Sequence, residues 1–446
     1  MHHDSVIGAR QYLFLSATLF LLVGEVIFVQ VMYSSFSLAF FMAITTGTLF
    51  LISKERPIIP LLYVFSIVIA ICVFHYWVEF SETDSSYFLG RYSDDWQYDV
   101  LWSAGYSNKY GLNPLYITEH LNSIEPGLGA LHNSRGYVYI IAVLRFFSGF
   151  VDGYHTLIAR VFNLYLLSLT AVILFRTLER CYNFRVGLFH VILFLLFPTL
   201  VLNSAHVFRD TVVMFLLVIA FSSVAHRKCL KVSFFRFFVS ISFVVFMLLT
   251  LRVSTVPILI FCVVVSFSRV SVKFALVGVF AFLIVFPVIY INISSELYRL
   301  FSSYSELNVK RFDGFAQSIF ALPLYLGLVP RLLYSFFIPT PNFANVYQSI
   351  SSVAAFLQVF SAPGLLRGVV SKRVSIEVKV FFLVIFCSVL VSTMTFRHAL
   401  MYLPFGIALW IIGYQKKVFS IGWRYLSEVF VFVVISALVF SAVYIV

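Results

Sequence analysis

The chain has 446 residues, of which 61% are hydrophobic, 19% aromatic and 11% charged, with a formal net charge of +12 and a mean hydropathy of +0.99. A soluble domain carries about a quarter charged residues, so a water-soluble enzyme is excluded. The surplus Lys and Arg sit in short connectors between apolar runs, which argues against nucleic acid and for the positive-inside pattern of a membrane protein.

Repeated apolar runs of roughly 18 to 22 residues are long enough to cross a bilayer. They do not alternate as the strands of a β-barrel do. The expected fold is all-α, a single polytopic membrane domain over residues 1–446. Its runs lie near 12–32, 36–53, 58–76, 156–176, 186–203, 210–226, 234–250, 254–268, 272–293, 348–366, 377–395, 397–414 and 426–445. The first has one Arg ahead of it and no small-residue cleavage pattern, so it is expected to stay as a span. The five cysteines fall in spans or basic connectors and imply neither a disulfide framework nor a metal-ligand spacing.

The connectors fix an expected orientation. Lys54/Arg56, Arg176/Arg180/Arg185, Arg227/Lys228/Lys231, Arg269/Lys273, Arg367/Lys372/Arg373 and Lys416/Lys417/Arg424 all fall on the cytoplasmic side if the N-terminus is inside and there are about thirteen spans. Residues 137–151 form a shorter run interrupted by Arg145, expected to be interfacial or re-entrant, with a short true span as the alternative. The external side then holds two long loops, 77–136 and 294–347, and the turns at Asn203–Asp210, Arg252 and Arg397-His398. Most acidic residues are there, Asp94, Asp95, Asp99, Glu119, Asp152 and Asp210 among them; acids barely influence orientation, so a working surface on the outer face is the simplest account. In the second loop Ile319–Phe337 is apolar but broken by Pro323, Gly327 and Pro330, as a kinked segment along the membrane surface would be.

Three constellations are candidates for chemistry. Asp94-Asp95, flanked by Tyr92, Trp96 and Tyr98, suits a general base or oxygen ligation of a divalent cation, against the plain reading of a solvated loop. The aromatics suit stacking on sugar rings as well as anchoring at the interface. The second is the turn His206-Val-Phe-Arg209-Asp210, where Asp210 is either functional or the N-cap of the next helix. The third is the set of external arginines, Arg209, Arg252, Arg311 and Arg397 (with His398), whose planar forks match phosphate oxygens; taken singly, each reads better as a headgroup anchor, and it is their convergence beside acids that suggests a phosphate pocket. No nucleotide-binding, zinc-protease or serine-hydrolase motif stands in a credible context.

An acidic pair in a first long external loop resembles the polyprenol-dependent glycosyltransferases of the GT-C superfamily. So do Gly136-Tyr-Val-Tyr139, Ala159-Arg160-Val-Phe-Asn163, Phe197-Pro198 and Ser204 ahead of Arg209-Asp210. The turn Phe336-Phe-Ile-Pro339-Thr-Pro341 and the late Arg397 are similar to bacterial O-antigen and surface-polysaccharide polymerases. The resemblance covers 77–215 loosely and 320–410 more loosely. It implies a multi-pass protein of the bacterial inner membrane, working at the periplasmic face. It also implies inverting transfer from an undecaprenyl-phosphate or -pyrophosphate donor to a glycan or lipid-linked acceptor. Asp94 or Asp95 would be the base, with Asp210 the other catalytic candidate; Arg209, Arg252, Arg311, Arg397 and His398 would hold the donor phosphate. A flippase for lipid-linked oligosaccharide is the alternative, disfavoured because the spans hold few charges, Glu25 being the main acid.

Overall fold

The computed structural model of the protein describes residues 2–54, 56–80, 96–124, 134–268, 315–322, 324–338, 343, 346–392, 396–413 and 423–445. Their secondary structure is helical, with no strand among the described residues, and falls into two compact units, Met1–Pro257 and Ile258–Val446. Among the described residues, six helices are long and apolar enough to cross a membrane: Tyr12–Tyr33, Leu157–Tyr182, Asp210–Cys229, Phe234–Leu251, Gln348–Val370 and Tyr425–Val443. Shorter apolar helices accompany them, Phe36–Ile52, Ile58–Ile71 and Thr255–Phe267 among these. The expected run 272–293 lies outside the described residues.

Unit 1 begins with α1 (His2–Tyr33), α2 (Phe36–Ile52) and α3 (Ile58–Phe80). A π-helical turn (Gln97–Ser103) leads into α4 (Ala104–Tyr110), α5 (Ile117–Ile124) and α6 (Arg135–Ser148). Then come α7 (Leu157–Tyr182), α8 (Leu188–Leu195), α9 (Pro198–Ser204), α10 (Asp210–Cys229) and α11 (Phe234–Leu251). The run 186–203, expected as one span, is two short helices. The reason is local: Phe197 precedes Pro198 and is held extended (φ −63°, ψ 115°), and the proline opens α9 at its first position.

Inner and outer helices differ as lipid exposure requires. The apolar window of α7 is 78% buried, whereas those of α1 and α11 are each 17% buried. Phe20 on α1 and Phe235 on α11 are 80% and 74% exposed, an outward face suited to acyl chains and costly in water.

Contacts define two chemically distinct ends of this unit. At one, Arg56 pairs with Glu179, Arg176 donates to the carbonyl of Ile52, and Thr177 bonds Ser222 at 2.8 Å, so α7 and α10 run in parallel. The basic connectors Lys54/Arg56, Arg176/Arg180 and Arg227/Lys228 close helices there. At the other, Asp152 accepts from the backbone N–H groups of Phe36 and Ser37, capping α2 from outside its own segment. Some desolvation raises that carboxyl, but the bonds at Ser37 and Phe36 outweigh it and hold the group below its ordinary value. Gly153 beside it has φ +106°, which a side chain would strain, and its carbonyl accepts from Ser37 Oγ at 2.6 Å.

The second unit contains α12 (Thr255–Phe267, which begins in unit 1), α13 (Phe315–Ala321), α14 (Leu324–Tyr334), α15 (Val346–Val370), α16 (Ile376–Ser392), α17 (Ala399–Gly413) and α18 (Trp423–Ile445). The segment Ile319–Phe337, expected to be kinked, is divided between α13, a break at Leu322, and α14 with Pro330 inside it. Arg331 closes that break by donating to the carbonyls of Phe320 (3.1 Å) and Leu322 (3.3 Å). Helices α15 and α17 approach closely. A Cβ on Gly368 would meet the Leu409 carbonyl oxygen at 2.6 Å, and Gly413 lies against Gly368 itself, the small-residue packing that lets helices approach in lipid.

Candidate functional site

At the Asp152 end of unit 1 the polar side chains are buried and interlocked. The origin is a stripe at the start of α7: Thr156, just before the helix, then Arg160 and Asn163, at i, i+4 and i+7. Arg160 and Asn163 are both 0% exposed. A guanidinium in such a place must be met by other groups. Arg160 Nη1 donates to Thr156 Oγ1 at 3.1 Å, and that hydroxyl donates onward to Asp99 Oδ2.

Asp99 sits on the π-helical turn, an irregular stretch of the kind that re-aims side chains at functional sites. Its carboxylate is 0% exposed. Arg145 Nη2 donates to Asp99 Oδ1 and to the Asp99 carbonyl, both at 2.7 Å, while Arg145 Nε donates to Ser103 Oγ at 3.1 Å. The Arg145 guanidinium also lies over the Tyr154 ring, 4.1 Å from its centroid. Arg145 is therefore the side chain that pins α6 to the π-helical turn. His155 stands beside this group, its ring 5.0 Å from that of Tyr33. Burial, with the positive charge of Arg160, pushes its pKa down to about 4, so it is neutral at physiological pH.

The other side of the turn is fastened by Tyr98. Its hydroxyl bonds Ser134 Oγ at 2.6 Å, and its ring packs edge-on against Tyr137 and Trp102, each 5.2 Å away. Arg209 Nη1 donates to the same Ser134 Oγ and to the Leu251 carbonyl at 3.2 Å. Asn163 Nδ2 reaches the Tyr137 hydroxyl (3.0 Å) and the carbonyls of His206 (2.7 Å) and Phe208 (3.2 Å), tying α7 to the turn between α9 and α10. Its Oδ1 is buried without a hydrogen bond. Arg252, following α11, donates from Nη1 to Asp210 Oδ1 at 2.5 Å, with Asp210 almost wholly buried. Gly136 permits the assembly: a Cβ there would collide with Thr250, forcing apart the starts of α6 and the end of α11.

Of the residues expected from sequence, Arg209, Asp210 and Arg252 are brought together. Asp210 is not the N-cap; Arg209 holds that position, and Asp210 begins the helix and gives its carboxylate to Arg252. His206 is buried, its ring 5.1 Å from Phe208, rather than lying at an exposed interface. Asp94, Asp95 and Arg311 lie outside the described residues. Arg397 and His398 belong to the second unit, on a short 3-10 turn (Phe396–His398) with His398 buried.

Asp99, Arg145, Arg160 and Asn163 were not singled out as carrying chemistry. Their signals were present: an Arg interrupting an apolar run, and a polar stripe with helical spacing inside a span. Among the described residues, five arginines (Arg135, Arg145, Arg160, Arg209, Arg252) and three aspartates (Asp99, Asp152, Asp210) gather at this end. That excess of positive charge, walled by tyrosines, suits an anion carrying hydroxyl-rich groups. Among the described residues no three His, Cys, Asp or Glu side chains are grouped to hold a metal ion. Comparison with protein-family models, curated proteins and solved structures gives no match to the chain.

Proposed function

We propose that the protein is a membrane glycosyl-transfer enzyme of bacterial surface-polysaccharide assembly, either a GT-C-type transferase or a repeat-unit polymerase. Its donor is a sugar carried on polyprenyl phosphate or pyrophosphate, used at the periplasmic face of the inner membrane. The observation that carries this reading is the gathering of polar side chains at one end of unit 1, where Arg252 pairs with Asp210, Arg209 donates to Ser134, and Asp99 receives Arg145 and, through Thr156, Arg160. A phosphate-bearing lipid has the same division, a charged head on an apolar chain.

In the reaction, an acceptor hydroxyl attacks the anomeric carbon as the carbon–oxygen bond to phosphate breaks. The hydroxyl proton passes to a carboxylate, and the negative charge leaves on the phosphate. Asp94 or Asp95, which lead in sequence directly into Trp96 and the π-helical turn, are the proposed base. Arg209 and Arg252 face the departing phosphate. Asp210 keeps Arg252 in place; Asp99 does the same for Arg145.

Arg252→Lys tests this. It keeps a positive charge beside Asp210 but loses the planar fork. In membranes supplied with lipid-linked donor, product formation should fall by roughly 30- to 150-fold, the equivalent of a charge-assisted bond of about 2 to 3 kcal/mol. Unchanged turnover at unchanged protein level would remove the phosphate-clamp assignment.

A second reading, a flippase for lipid-linked oligosaccharide, is favoured by one observation: Glu25 is buried within the span Tyr12–Tyr33. The lipid-linked glycans of a deletion strain separate the two. Transferase or polymerase loss leaves truncated or single repeat units on the periplasmic side. Flippase loss leaves complete units on the cytoplasmic side.

A further inference from the structure

Away from the outer network, unit 1 carries a second polar group at membrane depth. Glu25 is 6% exposed, and both its carboxyl oxygens are buried without a hydrogen bond. It lies eight residues before Tyr33, about 12 Å along α1 from that end. On α2, Thr45 is about 14 Å from Phe36, and on α7, Tyr165 is about 12 Å from Leu157, so the three stand at one level. Thr45 Oγ1 bonds the Tyr63 hydroxyl of α3 at 2.7 Å, and Thr48 Oγ1 donates to Tyr165 at 3.1 Å. The Tyr63 and Tyr165 rings are 6.2 Å apart. Tyr63 is 0% exposed and stands at this same level on α3, the helix packed against α1.

The groups facing Glu25 decide its state. α1 packs on α2 and α3. No ionisable side chain occurs on α2, and the described side chains of α3 include Tyr63 as the sole ionisable one. Tyr165 of α7 lies behind Tyr63, and the described side chains of α1 add Tyr12 and Tyr33 near its ends. None of these is a cation. A carboxylate without a counter-charge or hydrogen bonds in an apolar interior costs several kcal/mol, whereas the neutral acid does not.

We propose that Glu25 is a proton-binding site in the membrane interior of unit 1, with the hydroxyl pair Tyr63–Thr45 as its polar wall. Losing the proton places an unanswered charge between α1 and α3. Because the apolar window of α1 is only 17% buried, its packing is free to yield. Proton occupancy at Glu25 thus sets how α1 seats on α3, which makes the seat of α1 responsive to a transmembrane proton gradient. The site uses no residue of the outer network and is independent of the glycosyl-transfer reading.

The test uses the full-length protein in lipid vesicles, wild type against Glu25→Gln, by infrared difference spectroscopy at neutral pH. The wild type should show the carbonyl stretch of a protonated carboxylic acid, shifted in heavy water and lost in the variant. Glu25→Asp, which keeps an acid at the same place, should move the band rather than abolish it, and so separates loss of the proton site from loss of fold. Dicyclohexylcarbodiimide, which adds to protonated carboxyls in apolar surroundings, should label the peptide containing Glu25 in the wild type and not in Glu25→Gln. Identical protonated-carboxyl regions in wild type and Glu25→Gln would overturn the proposal, since Glu25 would then be a carboxylate met by a cation.

Discussion

At the basic end of unit 1, Arg56 meets Glu179 with a third of the Glu179 side chain exposed, and Arg176 reaches a helix-terminal carbonyl. At the opposite end Asp99 is wholly buried, Arg145 is fixed through two nitrogens, and Tyr98, Ser134 and Arg209 share one chain of hydrogen bonds. Both ends are rich in arginine. What separates them is connectivity in a place water does not reach. Charges that only orient a membrane protein work one at a time from connectors; charges that build a site must satisfy one another before a ligand arrives.

The largest effect expected from this contrast is at Asp99. Asp99→Ala leaves Arg145, whose side chain is 20% exposed, without its carboxylate, and Thr156 without its acceptor. Removing one partner of a buried pair costs about 3 to 5 kcal/mol, so thermal unfolding of the purified protein should move to markedly lower temperature. Arg145→Ala should resemble it, and the double variant should be less damaged than the sum of the two. Additive losses would mean that the two side chains do not act as a pair, and the contrast between the ends would weaken accordingly.

A smaller effect is expected at His155, which belongs to the same end. Its pKa is about 4 in the folded protein against an ordinary value of 6.5, so between those values the unfolded chain binds more protons. The stability it contributes is fully present above about pH 6.5 and drains away as the pH falls toward 4. With the ring partly exposed, the contribution is on the order of 2 kcal/mol. His155 Nδ1 accepts from Leu157 N–H at 3.2 Å, and His155→Asn keeps an acceptor there. That variant should unfold with a flatter pH dependence in this window. An unchanged slope would show that another group titrates there.

How much of this was legible beforehand follows from what a sequence encodes locally. Apolar runs announced α1, α7, α10 and α11, because lipid demands length and hydrophobicity at every position. The break inside 186–203 was also legible, since Phe197-Pro198 is a local signal, but run length was given more weight than the proline. The turn at Arg209-Asp210 showed itself as charge between two spans. Arg252, 42 residues away along the chain, could be grouped with it by side of the membrane and no more closely. Asp99 was hidden differently: nothing near it in sequence says that Arg145 and Thr156 fold back upon it. Only Arg160 and Asn163 were visible as a pair, because helical spacing is the one long-range fact that a sequence states directly.

The smallest effect, and the sharpest test of the contrast, is at Arg56. Counted as an ion pair, Arg56–Glu179 looks equivalent to Arg145–Asp99. Burial says otherwise. The Glu179 side chain is 33% exposed against 0% for Asp99, and Glu179 Oε1 also accepts from Val186 N–H at 3.3 Å, so losing its arginine does not strand it. Arg56→Met keeps an apolar side chain there and removes the guanidinium, with its ion pair and its contact over the Phe175 ring, 5.8 Å from the centroid. The expected loss is about 1 kcal/mol or less, with glycan product unchanged. A loss matching that of Asp99→Ala, or a collapse of product at normal protein level, would mean that the basic end is itself a built site. The cavity of about 370 Å³ lined by Arg56, Glu179, Phe14 and Leu188 would then be the place to look for its ligand.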